Sequence, residues 1–193
     1  MRLGVYGGTF DPPHLGHLVA ASETCEALGL HRVLWVPSAV HPLKAGRVRT
    51  PPELRLEMVR AAIGGDPRFA ADDRELRRQG PSYTVDTLRE LRAREPGAEL
   101  FFITGADILG ELHRWREPEE VLRLATLVVV SRAGEALSPS EGVAARAVEI
   151  TRVDVSSTQV RRLAAAGKSI RYLVPEAVRA VIERERLYRD LSH

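Results

Sequence analysis

Apolar positions along the chain follow two patterns. Short, nearly continuous apolar runs occur at residues 3–6, 33–37, 100–104, 127–131 and 148–151, as expected of strands buried on both faces. Between them apolar residues recur at intervals of three and four, the spacing of helices. The first helix is predicted from about His14 to Leu28, with Leu15, Leu18, Ser22 and Cys25 on one face and Gly29 as its stop. A second follows Pro51 and Pro52, turns Leu54, Met58 and Ile63 inward and ends at Gly64 and Gly65. A third takes Ser82 as N-cap, buries Val85, Leu88 and Leu91, and stops before Pro96. Two more, over 157–166 and from Pro175 to about Arg186, close the chain. This alternation predicts an α/β fold, a parallel sheet covered by helices. The loop-like stretches, 38–50 and 132–142, are too short to divide it, so residues 1–193 are expected to form one domain.

Composition supports that reading. A chain of 193 residues, 44% hydrophobic, buries roughly 70% of its unfolded surface and needs neither metal nor disulfide to hold a core. Cys25, the one cysteine, is expected to be a small core residue. The longest aliphatic run, 127–130, falls far short of the ~20 residues of a membrane span. Gly7 and Gly8 cut short any signal-peptide core, so a cytoplasmic location with no membrane partner is expected. Basic and acidic side chains number 28 and 26, a net charge of +2. The cations, all arginine except Lys44 and Lys168, are interleaved with carboxylates, as in Arg74-Glu75-Leu76-Arg77. No one-signed stripe suggests a nucleic-acid partner.

The chemistry is concentrated at the start of the chain. After the first apolar run comes Gly7-Gly8-Thr9-Phe10-Asp11-Pro12-Pro13-His14-Leu15-Gly16-His17, leading into a helix. A glycine-rich turn there lets backbone N–H groups approach a phosphate, and the helix N-terminus adds about half a positive charge. His14 and His17, three residues apart, face the same anion, with Gly16 keeping the wall between them low. The Gly-x-Gly-x-x-Gly dinucleotide fingerprint cannot be placed here. Further along, Val155-Ser156-Ser157-Thr158-Gln159-Val160-Arg161 places a capping serine at a helix start and an arginine one turn later, suited to outer phosphates.

The first string resembles the hallmark of the His-x-Gly-His nucleotidylyltransferases, and the second resembles their Ile-Ser-Ser-Thr-x-x-Arg segment. The intervening Gly80-Pro81-Ser82-Tyr83-Thr84-Val85-Asp86-Thr87-Leu88, Phe102-Ile103-Thr104-Gly105-Ala106-Asp107 and Trp115 look like the nicotinate-nucleotide adenylyltransferases. The resemblance covers residues 3 to about 188. The sister phosphopantetheine adenylyltransferases lack the Ser-Tyr-Thr segment.

The resemblance implies a Rossmann-like, doubly wound sheet. It also implies transfer of AMP from ATP, with Mg²⁺, to nicotinate mononucleotide, giving nicotinate adenine dinucleotide and pyrophosphate. Nicotinamide mononucleotide and phosphopantetheine are the alternative acceptors. Gly8, Thr9, Phe10, Ser156 and Thr158 would meet ATP, and Gly105 and Asp107 its adenosine. Tyr83 and Thr84 would meet the nicotinate carboxylate, with Trp115 stacking on the pyridine. His14, His17, Lys44 and Arg161 would supply catalytic donors and cations. Small-molecule partners only are implied, and a homo-oligomer is allowed.

One departure is that Leu43 stands where the family has a histidine before Lys44, with His41 two residues earlier. The segment 38–50, which carries Lys44, is a candidate lid. A phosphate monoester, with a second pKa near 6, is already nucleophilic at pH 7 and needs no general base. The histidines are therefore expected to act as hydrogen-bond donors, protonated by nearby phosphates. Two rival readings are a non-catalytic nucleotide sensor and a zinc protein built on His14 and His17. The sensor would more readily have lost His17, Lys44 or Arg161; the zinc site lacks convincing further ligands.

Overall fold

A computed structural model describes residues 1–40, 50–132 and 144–189, with backbone alone at 107, 108 and 132. Six parallel strands form one sheet in the order β3-β2-β1-β4-β5-β6. They are β1 (Arg2–Gly8), β2 (Arg32–Pro37), β3 (Phe69–Ala71), β4 (Glu99–Gly105), β5 (Thr126–Arg132) and β6 (Ala145–Ile150). The helices are α1 (Leu15–Ala27), α2 (Pro52–Ile63), α3 (Arg74–Arg77), α4 (Thr84–Arg94), α5 (Pro118–Leu124), α6 (Ser157–Ala165) and α7 (Glu176–Arg184). This is the doubly wound Rossmann-like order, in which the chain reverses direction across the sheet between β1 and β4.

Alternation along the strands divides the core into two layers. Leu34, Val36, Leu100 and Phe102 pack with Val85, Leu88 and Leu91 of α4 and with Val121 and Leu124 of α5. Val33, Trp35, Phe101 and Ile103 face the other way, onto Ala20, Ala21 and Cys25 of α1 and Val59 and Ile63 of α2. A third cluster joins Met58 of α2 to Val160 of α6 and Val178 of α7, so the C-terminal helices pack behind the first βα unit.

All five predicted strands and all five predicted helices are present. Gly29, at φ +56°, ends α1 as expected, and Cys25 is a buried core residue. The inward face of α1 is corrected to Ala20, Ala21, Thr24 and Cys25, because small residues let the helix lie close to the sheet. In α2 the fully buried set includes Arg55 and Val59, while Leu54 is only half-buried. Strand β3 and helices α3 and α5 escaped the periodicity because each is too short to show a period.

Leu88 is fully buried between α4 and the sheet. Leu88→Ala is expected to cost about 2–5 kcal/mol, measured as a lower urea midpoint with an unchanged denaturant slope.

Candidate active site

Strand β1 ends in the sheet's centre, where ligands of doubly wound folds bind. There the chain turns through residues 9–12 into α1. Phe10 takes φ +49°, which costs a non-glycine residue roughly 1–2 kcal/mol. The turn is held because its ring is buried among Tyr6, Trp35 and His17. Gly8 permits this, since a Cβ there would lie 2.8 Å from the Phe10 ring. Other elements grip the turn's oxygens. Arg55 donates to the Thr9 carbonyl at 2.8 Å, Arg161 to the Asp11 carbonyl at 2.7 Å, and the Ser157 hydroxyl to the Pro12 carbonyl at 2.9 Å. The buried Tyr188 hydroxyl donates to the Asp11 carboxylate at 2.6 Å. Desolvation, reinforced by the Asp11 charge, raises the Tyr188 pKa and keeps it a donor.

At the start of α1 the His14 and His17 rings stack with centroids 3.7 Å apart. Gly16 leaves room for this, because a Cβ there would sit 3.1 Å from His14 Nδ1. The His14 backbone N–H donates to His17 Nδ1 at 3.1 Å. A nitrogen that accepts this bond carries no proton, so the ring proton of His17 resides on Nε2. An imidazolium could not accept the His14 N–H, and two stacked cations would repel.

Helices α2, α3, α4, α5 and α7 each carry an acidic residue in the first turn; α1 and α6 do not. Those two bare N-termini border the same cavity, so their positive ends are left for an external anion. Of the two serines expected to cap α6, Ser156 or Ser157, it is Ser156 that does so, accepting from Gln159 N–H at 3.1 Å. Arg161 also donates to the Thr158 hydroxyl at 3.2 Å, which leaves guanidinium donors beyond its Asp11 contact.

Ser82 is not the cap of α4. The N-cap is Tyr83, which makes no side-chain cap bond. Ser82 instead accepts the Ala39 N–H at 2.9 Å and bonds the Glu75 carboxyl, and this double engagement moves the helix start on by one residue. Tyr83 lies under the Arg116 guanidinium, 4.9 Å from its ring centroid, and is not among the residues lining the cavity. Asp86, in the same first turn, is ion-paired with Arg89 and Arg116. Trp115 is half-buried and meets Phe102 edge-on at 5.6 Å.

The cavity, about 730 Å³, brings together most of the predicted set: Gly8, Thr9, Phe10, His14, His17, Thr84, Gly105, Trp115, Ser156, Thr158 and Arg161. Lys44, His41 and Leu43, with most of the candidate lid, lie outside the described residues, as does the Asp107 side chain. The sequence reading missed Ser38 and Glu75, which also line the cavity, and the buried supports Arg55 and Tyr188. Ser38 could have been found from its place directly after a predicted strand, where such folds present ligand contacts. Arg55 gave no signal, because a charged residue in a helical pattern reads as surface.

Residues 5–163 match the cytidylyltransferase-like family model. A protein of Rubrobacter xylanophilus named "Probable nicotinate-nucleotide adenylyltransferase" is 48% identical, over 98% of this chain and 92% of its own. One of the same name from Thermus thermophilus is also 48% identical, over 98% of this chain and 100% of its own. Among solved structures, Plasmodium falciparum nicotinic acid mononucleotide adenylyltransferase complexed with NaAD superposes with a TM-score of 0.78, covering 97% of each chain at 17% identity. That last likeness is one of fold.

Glu75 is buried, and desolvation raises its pKa despite hydrogen bonds from Thr87, at 2.6 Å, and Ser82. A carboxyl whose pKa is raised on folding stabilises the fold below the unfolded-state pKa of about 4.3, and that contribution is lost as pH rises through the folded value. Glu75→Gln is therefore expected to be more favourable relative to wild type at pH 7 than at pH 4, as measured by urea midpoints at the two pH values.

Proposed function

The chain belongs to the cytidylyltransferase-like family and, within it, to the nicotinate-nucleotide adenylyltransferases, and from that membership we propose that it joins ATP and nicotinate mononucleotide. The products are nicotinate adenine dinucleotide and pyrophosphate. A phosphate oxygen of the acceptor attacks the α-phosphorus of ATP. One P–O bond forms as the bond to the bridging α–β oxygen breaks, and the electron pair leaves with pyrophosphate. The dianionic acceptor needs no base, so the protein's work is alignment and charge stabilisation.

One observation carries this reading: two helix N-termini without acidic residues, the histidine pair and Arg161 all border one cavity. In the proposed roles, His17 donates through Nε2–H to phosphate oxygens, with His14 beside it. Arg161 and Lys44 neutralise charge, and Ser156, Thr158, Thr9 and Gly8 hold the ATP phosphates. Phe10 acts through packing, and Gly105 and Asp107 are assigned to the adenosine by the family resemblance alone. On the acceptor side, Thr84 and the uncapped α4 N-terminus take the nicotinate carboxylate, while Trp115 flanks the ring. Asp86 in that turn is ion-paired with Arg89 and Arg116, which offsets part of its repulsion of a second carboxylate.

Mg²⁺ enters with ATP as part of the substrate. Among the described residues no three His, Cys, Asp or Glu side chains converge on a metal position, and phosphate oxygens supply the hard ligands that Mg²⁺ prefers. No helix among the described residues is long and apolar enough to cross a membrane. From the family membership, the proposed setting is cytoplasmic, with small molecules as partners and a homo-oligomer allowed.

Pyrophosphate release from Mg²⁺–ATP is expected to be much faster with nicotinate mononucleotide than with nicotinamide mononucleotide or phosphopantetheine. Equal use of both pyridine nucleotides would contradict the carboxylate pocket, and use of phosphopantetheine alone would contradict the proposed reaction. His17→Ala is expected to lose about 10²–10³ in turnover, as for removal of one transition-state donor, while its circular dichroism stays native. Near-full activity would remove His17 from the mechanism.

A further inference from the structure

Among the described residues two acids line the cavity, Asp11 in the turn after β1 and Glu75 in α3. Asp11 stands among Thr9, His14 and Arg161, the proposed phosphate ligands, so its carboxylate has the wrong sign for its place. The fold restrains that charge from behind. Asp11 is 3% exposed, and its Oδ1 accepts the Tyr188 hydroxyl at 2.6 Å. The Tyr188 oxygen in turn takes a hydrogen bond from Thr50, two residues before α2. The Asp11 charge also acts on the Arg55 guanidinium, which donates to the carbonyls of Thr9, Thr50 and Ala39. Tyr188, Thr50 and Arg55 are all buried, and none of them lines the cavity. The carboxylate is therefore held toward the protein interior.

The backbone enforces the placement of the Tyr188 hydroxyl. After α7 the chain turns through Arg186 at φ +52° and Tyr188 at φ +67°, a left-handed conformation that disfavours residues with a Cβ. The turn packs the Tyr188 ring with Met58, Val155, Val160 and Val178. An apolar ring would satisfy that cluster, whereas a buried hydroxyl destabilises the fold unless it finds a partner. Its partner is an acid 177 positions earlier in the chain.

What the hydroxyl prevents follows from Arg161. That guanidinium lines the cavity and already donates to the Asp11 carbonyl at 2.7 Å. A carboxylate released by Tyr188 would turn toward this cation, because arginine–carboxylate hydrogen bonds are among the strong ones. It would occupy the donors that Arg161 offers to phosphate and set a negative charge beside them.

We propose that Tyr188 is a positioning residue of the adenylyl transfer, whose hydroxyl holds the Asp11 carboxylate out of the phosphate site and so keeps Arg161 available to ATP. This deepens the function proposed above and rests on it.

The test compares Tyr188→Phe, which keeps the ring and removes the hydroxyl, with the double variant Asp11→Asn/Tyr188→Phe. Two quantities are measured: calorimetric binding of a non-hydrolysable ATP analogue with Mg²⁺ and no acceptor, and steady-state kinetics with both substrates. Tyr188→Phe is expected to weaken analogue binding and raise the KM for ATP by about 10- to 100-fold, the equivalent of one hydrogen bond to a charged group. The KM for nicotinate mononucleotide is expected to stay within about twofold of wild type. In the double variant both ATP measures are expected to return to within about threefold of wild type, because an amide carries no charge to compete for Arg161. A merely structural hydroxyl makes the opposite forecast, a double variant as weak as Tyr188→Phe or weaker. Unchanged ATP binding in Tyr188→Phe, no recovery in the double variant, or a Tyr188→Phe chain without native circular dichroism would each overturn the assignment. Wild-type protein that binds the analogue but is inactive with nicotinate mononucleotide would contradict the proposed function, with this assignment still decided by the binding data; wild-type protein that binds no analogue would contradict both.

Discussion

The site depends on how the carbonyl oxygens of Thr9, Asp11 and Pro12 are disposed of. A turn this tight cannot bond its own backbone, and buried backbone groups must find partners. Arg55, Arg161 and Ser157, from two distant helices, supply donors to Thr9, Asp11 and Pro12, and Tyr188 fixes the Asp11 side chain. With these three acceptors occupied, fewer backbone oxygens of the turn compete with an anion for the positive end of α1. The same contacts explain why α6 and the residues after α7 fold back onto the first βα unit. Arg161 therefore has two roles, closing the turn through one donor and presenting others to the cavity.

Charge is managed locally. A net charge of +2 over 193 residues cannot attract two polyanions, and many of the described arginines sit in surface ion pairs, which contribute little. What distinguishes the cavity is the omission of acid from the first turns of α1 and α6, together with a His17 ring proton placed on Nε2 by the His14 backbone N–H. Donors fixed in advance cost no reorganisation when charge develops on the α-phosphoryl oxygens.

The fold was legible where the sequence carries a period. The buried runs and the helices of nine or more residues appear with small boundary shifts, and Val85, Leu88 and Leu91 are as buried as their spacing implied. The start of α4 was misplaced because Ser82 has a local capping propensity, yet tertiary partners Ala39 and Glu75 take its hydroxyl. At the site, the glycine-rich string and the Ser-Ser-Thr-x-x-Arg segment were readable because each is contiguous. Ser38, Arg55 and Tyr188 come from separate stretches, and their roles arise only once β2, α2 and the C-terminal turn are assembled. The tautomer of His17 follows from a single backbone N–H that no sequence pattern encodes.

That tautomer is the most direct handle on the account. Long-range ¹H–¹⁵N correlation of the His17 ring, in the free protein near pH 7.5 and again with Mg²⁺ and a non-hydrolysable ATP analogue, reports which nitrogen carries the proton. A protonated Nε2 with an unprotonated Nδ1 in both states is the expected result. A proton on Nδ1, whether in the other tautomer or in an imidazolium, would contradict a donor preset by the His14 backbone.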